Sequence, residues 1–335
     1  MDRGIVQGSL PPVIIDAHHH IFGGMAELGY PDYEPGDYLR DAAPLGSNLR
    51  ATVFAECNTH YDAAQPPGLE ATGETRFAAR LGARFDEEPV RCASAIIGFA
   101  DPFADLPFEK IVDAQVVAGD GRLRAIRRST AWDEDAQFNY PILKTLPHMM
   151  RDERFCHALH VLAQRDLVFD AWLYHPQFGE LVDLAKRVPD CTIVLDHAGM
   201  VLSKGRYADS NRSWSDWRDG IARLAERPNL NVKIGVLASI HGLDEIRQKT
   251  CGEHWTGPAL AEHLAPWLDH LVCSFGPERC LFESNFPIDK AHCDFATIVE
   301  AFSLAFGGLG PSERNAIFAG NAARIYKIDL QDEGV

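Results

Sequence analysis

The chain has 335 residues, 46% of them hydrophobic, and a formal net charge of −16, so we expect a single domain over 1–335 with its core at about 13–328. The acidic balance argues against nucleic acids and anionic membranes as partners, because both attract basic surfaces. No apolar run approaches the roughly 18 residues of a membrane span, and the N-terminal residues lack the apolar middle of a signal peptide, so the expected location is the cytoplasm.

Short apolar runs alternate along the chain with longer segments of helical periodicity. This alternation is typical of repeated strand and helix units around a parallel sheet. One helical segment has Trp214, Trp217, Ile221 and Leu224 at helical spacing and Ser213 as its predicted N-cap. The predicted strands are 13–17, 51–56, 92–99, 123–128, 167–173, 192–196, 230–234 and 280–283.

Eight such units predict an α/β fold of the (β/α)8 TIM-barrel type, with the active site at the carboxyl ends of the strands. The alternative is an open doubly wound sheet, but no G-x-G-x-x-G motif or P-loop follows any predicted strand. The segment 24–48 is long and rich in Gly, Pro and Asp. It is predicted to be a loop or lid over the mouth of the barrel.

Three consecutive histidines follow the first predicted strand. Side chains alternate between the two faces of a strand, so His18 and His20 share a face while His19 points elsewhere. Two imidazoles that converge in this way suit a divalent metal ion. The alternative is a chance cluster, or histidines satisfied by backbone hydrogen bonds in a turn.

Polar residues also stand at or just after the ends of most other predicted strands. In a barrel these positions lie around one mouth, so their joint placement with the histidines indicates a common site. The candidates are Asn58 after the second strand, Arg127 in the fourth, Tyr174 and His175 after the fifth, His197 after the sixth, Lys233 in the seventh, and Asn285 and Asp289 after the eighth.

Five of these candidates are predicted to contact a substrate. Arg127 is expected to clamp a substrate carboxylate with two parallel hydrogen bonds, and its alternative is an ordinary ion pair. Tyr174 and Asn58 are placed to hydrogen-bond a substrate. His175 is either a ligand or a histidine in a turn, and Lys233 either binds an anionic substrate or pairs with a buried carboxylate.

Four motifs, IDAHHH, IVLDHAG, FESNFPID and GNAARIY, resemble the amidohydrolase-related family of the amidohydrolase superfamily. The resemblance is to its lactonase branch, which includes pyrone-dicarboxylate lactonase, sulfomuconolactone hydrolase and sugar-acid lactonases. It implies a distorted (β/α)8 barrel and a hydrolytic or sometimes decarboxylating reaction. It also implies a site built from His18, His20, His197 and an acid on strand eight, at the position of Asn285.

Asn285 departs from the resembled motif, which usually has S-D-W-P or S-D-F-P where this chain has Ser284–Asn285–Phe286–Pro287. The usual aspartate can help to hold a metal and can act as a general base. Asn285 can only orient water or offer a carbonyl oxygen. Asp289 is the nearest carboxylate that could replace the base, and its alternative is a loop aspartate in a turn.

His18, His20 and His197 could together bind Zn²⁺ and leave a position open for water. Some lactonases of the resembled branch work without a bound metal, so a metal-free site is the alternative. The predicted function is hydrolysis of a small carboxylate-bearing lactone by activated water, with a metal or an imidazolium stabilising the oxyanion. A nonoxidative decarboxylase and a noncatalytic binding barrel are the alternatives, and the sequence leaves a homo-oligomer open.

Overall fold

The computed structural model describes residues 10–24, 29, 31–235, 247–248, 250–252 and 254–330. Eight parallel strands pair in sequence order, and a hydrogen bond of 3.1 Å from the Ala17 amide to the Phe282 carbonyl joins the first strand to the last. The predicted TIM barrel is confirmed. The strands are β1 Ile14–His19, β2 Leu49–Ala55, β3 Arg91–Phe99, β4 Leu123–Arg127, β5 Val168–Ala171, β6 Ile193–Leu195, β7 Leu230–Lys233 and β8 Cys280–Leu281.

Helices surround the strands. Where the sequence predicts a helix capped by Ser213, the helix instead begins at Ser210, because Asp209 accepts from the Asn211 and Arg212 amides at 3.1 Å each. The described α-helices are α1 Pro35–Ala42, α2 Thr72–Arg84, α3 Phe108–Ala118, α4 Glu153–Gln164, α5 Phe178–Arg187, α6 Ser210–Ala225, α7 Gly257–Phe275, α8 Phe295–Ala305, α9 Pro311–Asn315 and α10 Asn321–Ile325.

The predicted lid at 24–48 is wrong for its second half. Residues 35–48 form α1 and a following 3-10 segment, with Tyr38, Ala42 and Leu45 buried at helical spacing. Tyr38 donates a hydrogen bond of 2.8 Å to the carboxylate of Asp16, which lies within β1. This half therefore packs on the barrel wall, whereas residues 25–28 and 30 lie outside the described residues.

Small side chains line the inside of the barrel below the mouth. Ala17, Ala55, Ala95 and Ala125 are fully buried there, and the space that they leave is filled from the amino-terminal end by Tyr326, which follows α10. The Tyr326 hydroxyl donates to Asp170 Oδ1 at 2.9 Å. The C-terminal helix thus closes one end of the barrel and supports the polar residues above it.

In the part of the chain that the structure describes, no helix combines the length and the apolar character that crossing a membrane requires.

Candidate active site

A bulge in β1 sets the direction of the histidines. Asp16 lies opposite Thr52 and His19 opposite Phe54, so β1 contains one residue more than β2 over this stretch. The Asp16 carboxylate accepts from the His18 amide at 3.3 Å and from the Ser284 amide at 2.8 Å. It therefore holds the bulge and ties it to the segment after β8.

His18 and His20 lie side by side within the barrel, and His19 lies on its outer side. The His18 and His20 Nε2 atoms are 3.2 Å apart. The His19 Nε2 instead bonds to Thr52 Oγ1 at 2.7 Å, and its ring packs on Tyr38 with centroids 4.4 Å apart. The alternation of side chains along a strand thus correctly predicts that His18 and His20 share one side of β1 and that His19 lies on the other.

His197 joins the pair from the end of β6. Its ring centroid is 4.7 Å from that of His18. His20 Nδ1 donates to the Ala55 carbonyl at 2.8 Å, which leaves Nε2 of neutral His20 unprotonated. Burial lowers the pKa of both His18 and His20, so they are neutral near pH 7, as nitrogen ligands of a metal must be.

Glu283 holds His197 and was not predicted as a site residue. Its Oε1 accepts from the His197 amide at 3.2 Å and lies 3.0 Å from His197 Nδ1. Burial alone would lower the pKa of His197, but the carboxylates of Glu283, Asp196 and Asp289 together outweigh burial and raise that pKa. A carboxylate bound to the far nitrogen of a histidine fixes the orientation of the ring.

Lys233 is a buried ion-pair partner and not the substrate contact given as one prediction. Its Nζ donates to Asp170 and to Asp196 Oδ1 at 2.9 Å, and His18 Nδ1 lies 3.0 Å from it. The two carboxylates therefore pair with the buried ammonium group. Asp170, which the sequence analysis missed, is a single acid within an apolar strand.

Arg127 lies beside His18, but its guanidinium is already bound. Its Nε donates to Glu56 Oε1 at 2.7 Å and its Nη2 donates to the Glu56 carbonyl. Its Nη1 is 3.3 Å from His18 Nε2 and 3.7 Å from Asp196 Oδ2. Glu56 thus occupies one edge of the guanidinium, which does not support the predicted two-bond clamp on a substrate carboxylate.

We expect the variant Arg127→Met to unfold more easily than the wild type, by about 3–5 kcal/mol in the free energy of unfolding. The reason is that Glu56, which is 4% exposed, would remain buried without its cation. The double variant Arg127→Met/Glu56→Gln should recover part of this loss. Denaturant unfolding of the wild type, both single variants and the double variant measures the coupling. Equal stability of Arg127→Met and wild type would contradict the ion pair.

Asn285 and Asp289 form a buried pair after β8. The Asn285 amide side chain donates to Asp289 Oδ1 at 3.0 Å, and the Asn285 backbone amide donates to the His18 carbonyl at 2.9 Å. Asp289 is 1% exposed, and burial raises its pKa to about 7 although nearby His197 opposes the shift. The structure thus brings Asp289 into the mouth beside the histidines, and not into a surface turn.

The remaining predicted contacts lie further out. The Tyr174 hydroxyl donates to the Phe138 carbonyl, and His175 Nδ1 accepts from the Leu202 amide at 3.1 Å. Both side chains therefore fasten loops of the mouth, which does not support their predicted substrate contacts. Asn58 is half-buried, with a φ of 62° and its side-chain oxygen 3.4 Å from the Tyr61 hydroxyl.

The buried carboxylates and imidazole nitrogens of this site suit the binding of a divalent metal ion. The Nε2 spacing of His18 and His20 is close to the roughly 3.3 Å expected for two nitrogen ligands of one tetrahedral ion. His18, His197 and Glu283 also each offer a ligand atom within 4.8 Å of the others. Among the described residues, six buried carboxylate oxygens have no hydrogen-bond partner, and four of them belong to this site: Glu56 Oε2, Asp170 Oδ2, Asp196 Oδ2 and Glu283 Oε2.

Comparison with known proteins agrees with the fold. A protein of Sinorhizobium fredii with no assigned function is 30% identical over 94% of this chain and 98% of its own. L-fucono-1,5-lactonase of Burkholderia multivorans is 24% identical over 94% of this chain and 96% of its own. An amidohydrolase structure from Burkholderia multivorans with bound zinc has a TM-score of 0.69 at 20% identity, covering 95% of this chain and all of that one. The family model described as amidohydrolase matches residues 15–328, and the chain therefore belongs to the amidohydrolase family of hydrolytic enzymes.

Proposed function

We propose that this chain is a lactonase, which opens a small cyclic ester by attack of water on the ring carbonyl. The observation that carries the proposal is the convergence of His18, His20 and His197 beside the Asn285–Asp289 pair at the carboxyl ends of the strands. The likeness over nearly the full length to L-fucono-1,5-lactonase supports a lactone as the substrate.

We further propose that His18, His20 and His197 hold a divalent metal ion in the working enzyme. Neutral imidazole nitrogens suit Zn²⁺ best among the common divalent ions of such sites. The Ala55 carbonyl and Glu283 bind the far nitrogens of His20 and His197, as supporting groups commonly do for ligand histidines. Such an ion, when bound, polarises the ring carbonyl and stabilises the negative charge that develops on its oxygen.

Asp289 supplies the proton transfer in this proposal. A pKa of about 7 leaves a large fraction of its carboxyl ionised at neutral pH, and the ionised oxygen can take a proton from the attacking water. The Asn285 amide donates to Asp289 Oδ1 and fixes the direction of the other oxygen. The protonated carboxyl then returns the proton to the ring oxygen as the ester bond breaks.

A panel of small lactones assayed by acid release in a pH-stat, with elemental analysis of protein purified without chelators, tests the proposal. We expect ring opening with one acid released per lactone, and about one zinc ion per chain. Removal of the metal should lower the rate, and added Zn²⁺ should restore it. A protein that opens no lactone but releases CO₂ from aromatic acids would instead be a decarboxylase, and one that binds lactones unchanged would be a binding barrel.

A further inference from the structure

We propose that the amino-terminal end of the barrel, opposite the mouth, contains a binding site for a phosphate-type oxyanion. A cavity of about 280 Å³ lies at this end, where β3 and β4 begin. Four cationic side chains from three parts of the chain line it: Arg91 at the start of β3, Arg122 and Arg124 at the start of β4, and Lys327 after α10. These residues take no part in the proposed reaction, so the inference does not rest on the lactonase function.

Arg124 is a half-buried cation without a carboxylate partner. Its Nη1 donates to the Gly121 carbonyl at 2.7 Å and to the Leu123 carbonyl at 3.0 Å. Among the described residues it forms no ion pair, and its Nη2 and its buried Nε have no hydrogen-bond partner. Burial lowers the pKa of Arg124, and the neighbouring charge of Arg122 lowers that pKa further. An anion in the cavity would compensate both charges and accept from Nη2.

Arg91 and Arg122 are held at the same cavity by other contacts. Arg91 Nη2 donates to the Asp329 backbone carbonyl at 2.5 Å, and within the described part of the chain Arg91 also pairs with no carboxylate. Arg122 Nη2 pairs with Asp86 at 2.5 Å, but the Asp86 side chain is 51% exposed. The stem of Arg122 lies so close to Gly82 of α2 that an added Cβ there would come within 2.9 Å of its Cδ. Both guanidinium groups are therefore positioned before any ligand binds.

Carboxylates also line the cavity, but they are fewer than the cations. Asp86, Asp120 and Asp329 are all exposed, whereas the three arginines are half-buried. Water and salt screen exposed charges more strongly than half-buried ones, so the arginines dominate the potential inside the cavity. Over the whole chain 48 acidic residues outnumber 32 basic ones, which makes a cavity with an excess of cations a local exception.

The donors suit a tetrahedral oxyanion better than a monocarboxylate. A guanidinium group binds phosphate through two parallel N–H bonds, and Lys327 adds a point charge. Three arginines that approach from β3 and β4 can each engage different oxygens of one phosphate. A monocarboxylate offers only two oxygens to the same donors and carries a single charge.

The test is a titration with inorganic phosphate followed by phosphorus NMR, on the wild type and on Arg124→Gln, Arg91→Gln, His20→Ala and Arg76→Gln. The His20→Ala variant separates this site from the proposed metal centre, because phosphate can also bind a metal ion. Arg76→Gln is the matched control, since it too removes a half-buried arginine, one that pairs with Asp62 at 2.8 Å outside the cavity. Thermal unfolding confirms that each variant is folded.

We expect the wild type, His20→Ala and Arg76→Gln to bind phosphate at low salt with a Kd of about 1 mM or below. Arg124→Gln and Arg91→Gln should each weaken binding at least about tenfold, and the wild type should bind acetate at least about tenfold more weakly than phosphate. Tighter binding of glycerol 3-phosphate than of inorganic phosphate would assign the site to a phosphate ester, and equal binding would assign it to the free ion.

Three results would overturn the inference. The first is loss of binding in His20→Ala with full binding in both cavity variants, which would place the ion at the histidines. The second is equal affinity of the wild type for acetate and phosphate, because the arginines would then not engage a tetrahedral ion. The third is the absence of saturable phosphate binding to the wild type.

Discussion

Replacing His20 by alanine is expected to lower kcat/KM by more than about 100-fold, because loss of a metal ligand should exceed the 10–100-fold typical of its supporting groups. Its Nε2 lies 3.2 Å from that of His18, so the change removes one of two nitrogens that face the same point. His18→Ala should have a similar effect. Steady-state kinetics with metal analysis of each purified variant provide the measurement.

His19 is the control that the chain itself offers. It is fully buried beside these two residues, but it bonds to Thr52 outside the barrel and packs on Tyr38. His19→Ala should therefore lower the melting temperature while the folded protein keeps its metal and retains activity within about tenfold of wild type. An equal loss of activity in all three variants would contradict the division of the histidines between the two sides of β1.

Much of this architecture follows from patterns in the sequence. Alternating apolar runs and helical segments predict the barrel, because hydrophobic residues recur with a different period in strands and in helices. Each segment is long enough to show which of the two periods it follows. The direction of His18 and His20 follows from period two on a strand, although the bulge at Asp16 is not visible in the sequence. The register shift lies between Asp16 and His19, and the side chains of His18 and His20 nevertheless face each other.

The acids of the site were harder to predict. Asp170 and Glu283 lie within or beside short apolar strands, where a sequence pattern indicates core and cannot show which cation or histidine the carboxylate meets. Arg127 was placed on the correct strand, but its partner Glu56 is 71 positions away and pairs with it only because β2 and β4 close around the same mouth. The helix at Pro35–Ala42 was missed because glycine, proline and aspartate were weighed as loop residues, whereas Pro35 occupies the first turn of the helix, where proline is tolerated.

Replacing Asp289 by asparagine should lower kcat/KM by about 10²–10⁴-fold and remove its dependence on pH near neutrality. Since burial raises the pKa of Asp289 from 3.8 to about 7, the wild-type activity should rise with pH through that value as the base ionises. The same shift means that between about pH 4 and pH 7 the Asp289 carboxyl keeps a proton in the folded state that it releases in the unfolded state. Wild-type stability should therefore fall as pH rises from about 4 to about 7, and Asp289→Asn should lack this contribution.

Asn285→Asp separates the role of the base from that of the metal. A second carboxylate at the position that now donates to Asp289 Oδ1 would raise the pKa of Asp289 further, because two negative charges there repel each other. The acid limb of kcat/KM should then move to higher pH. The added oxygen ligand should at the same time leave metal content unchanged or higher. If the acid limb persists in Asp289→Asn, the base is another group, and His197, whose pKa the neighbouring carboxylates raise, is the residue to change next.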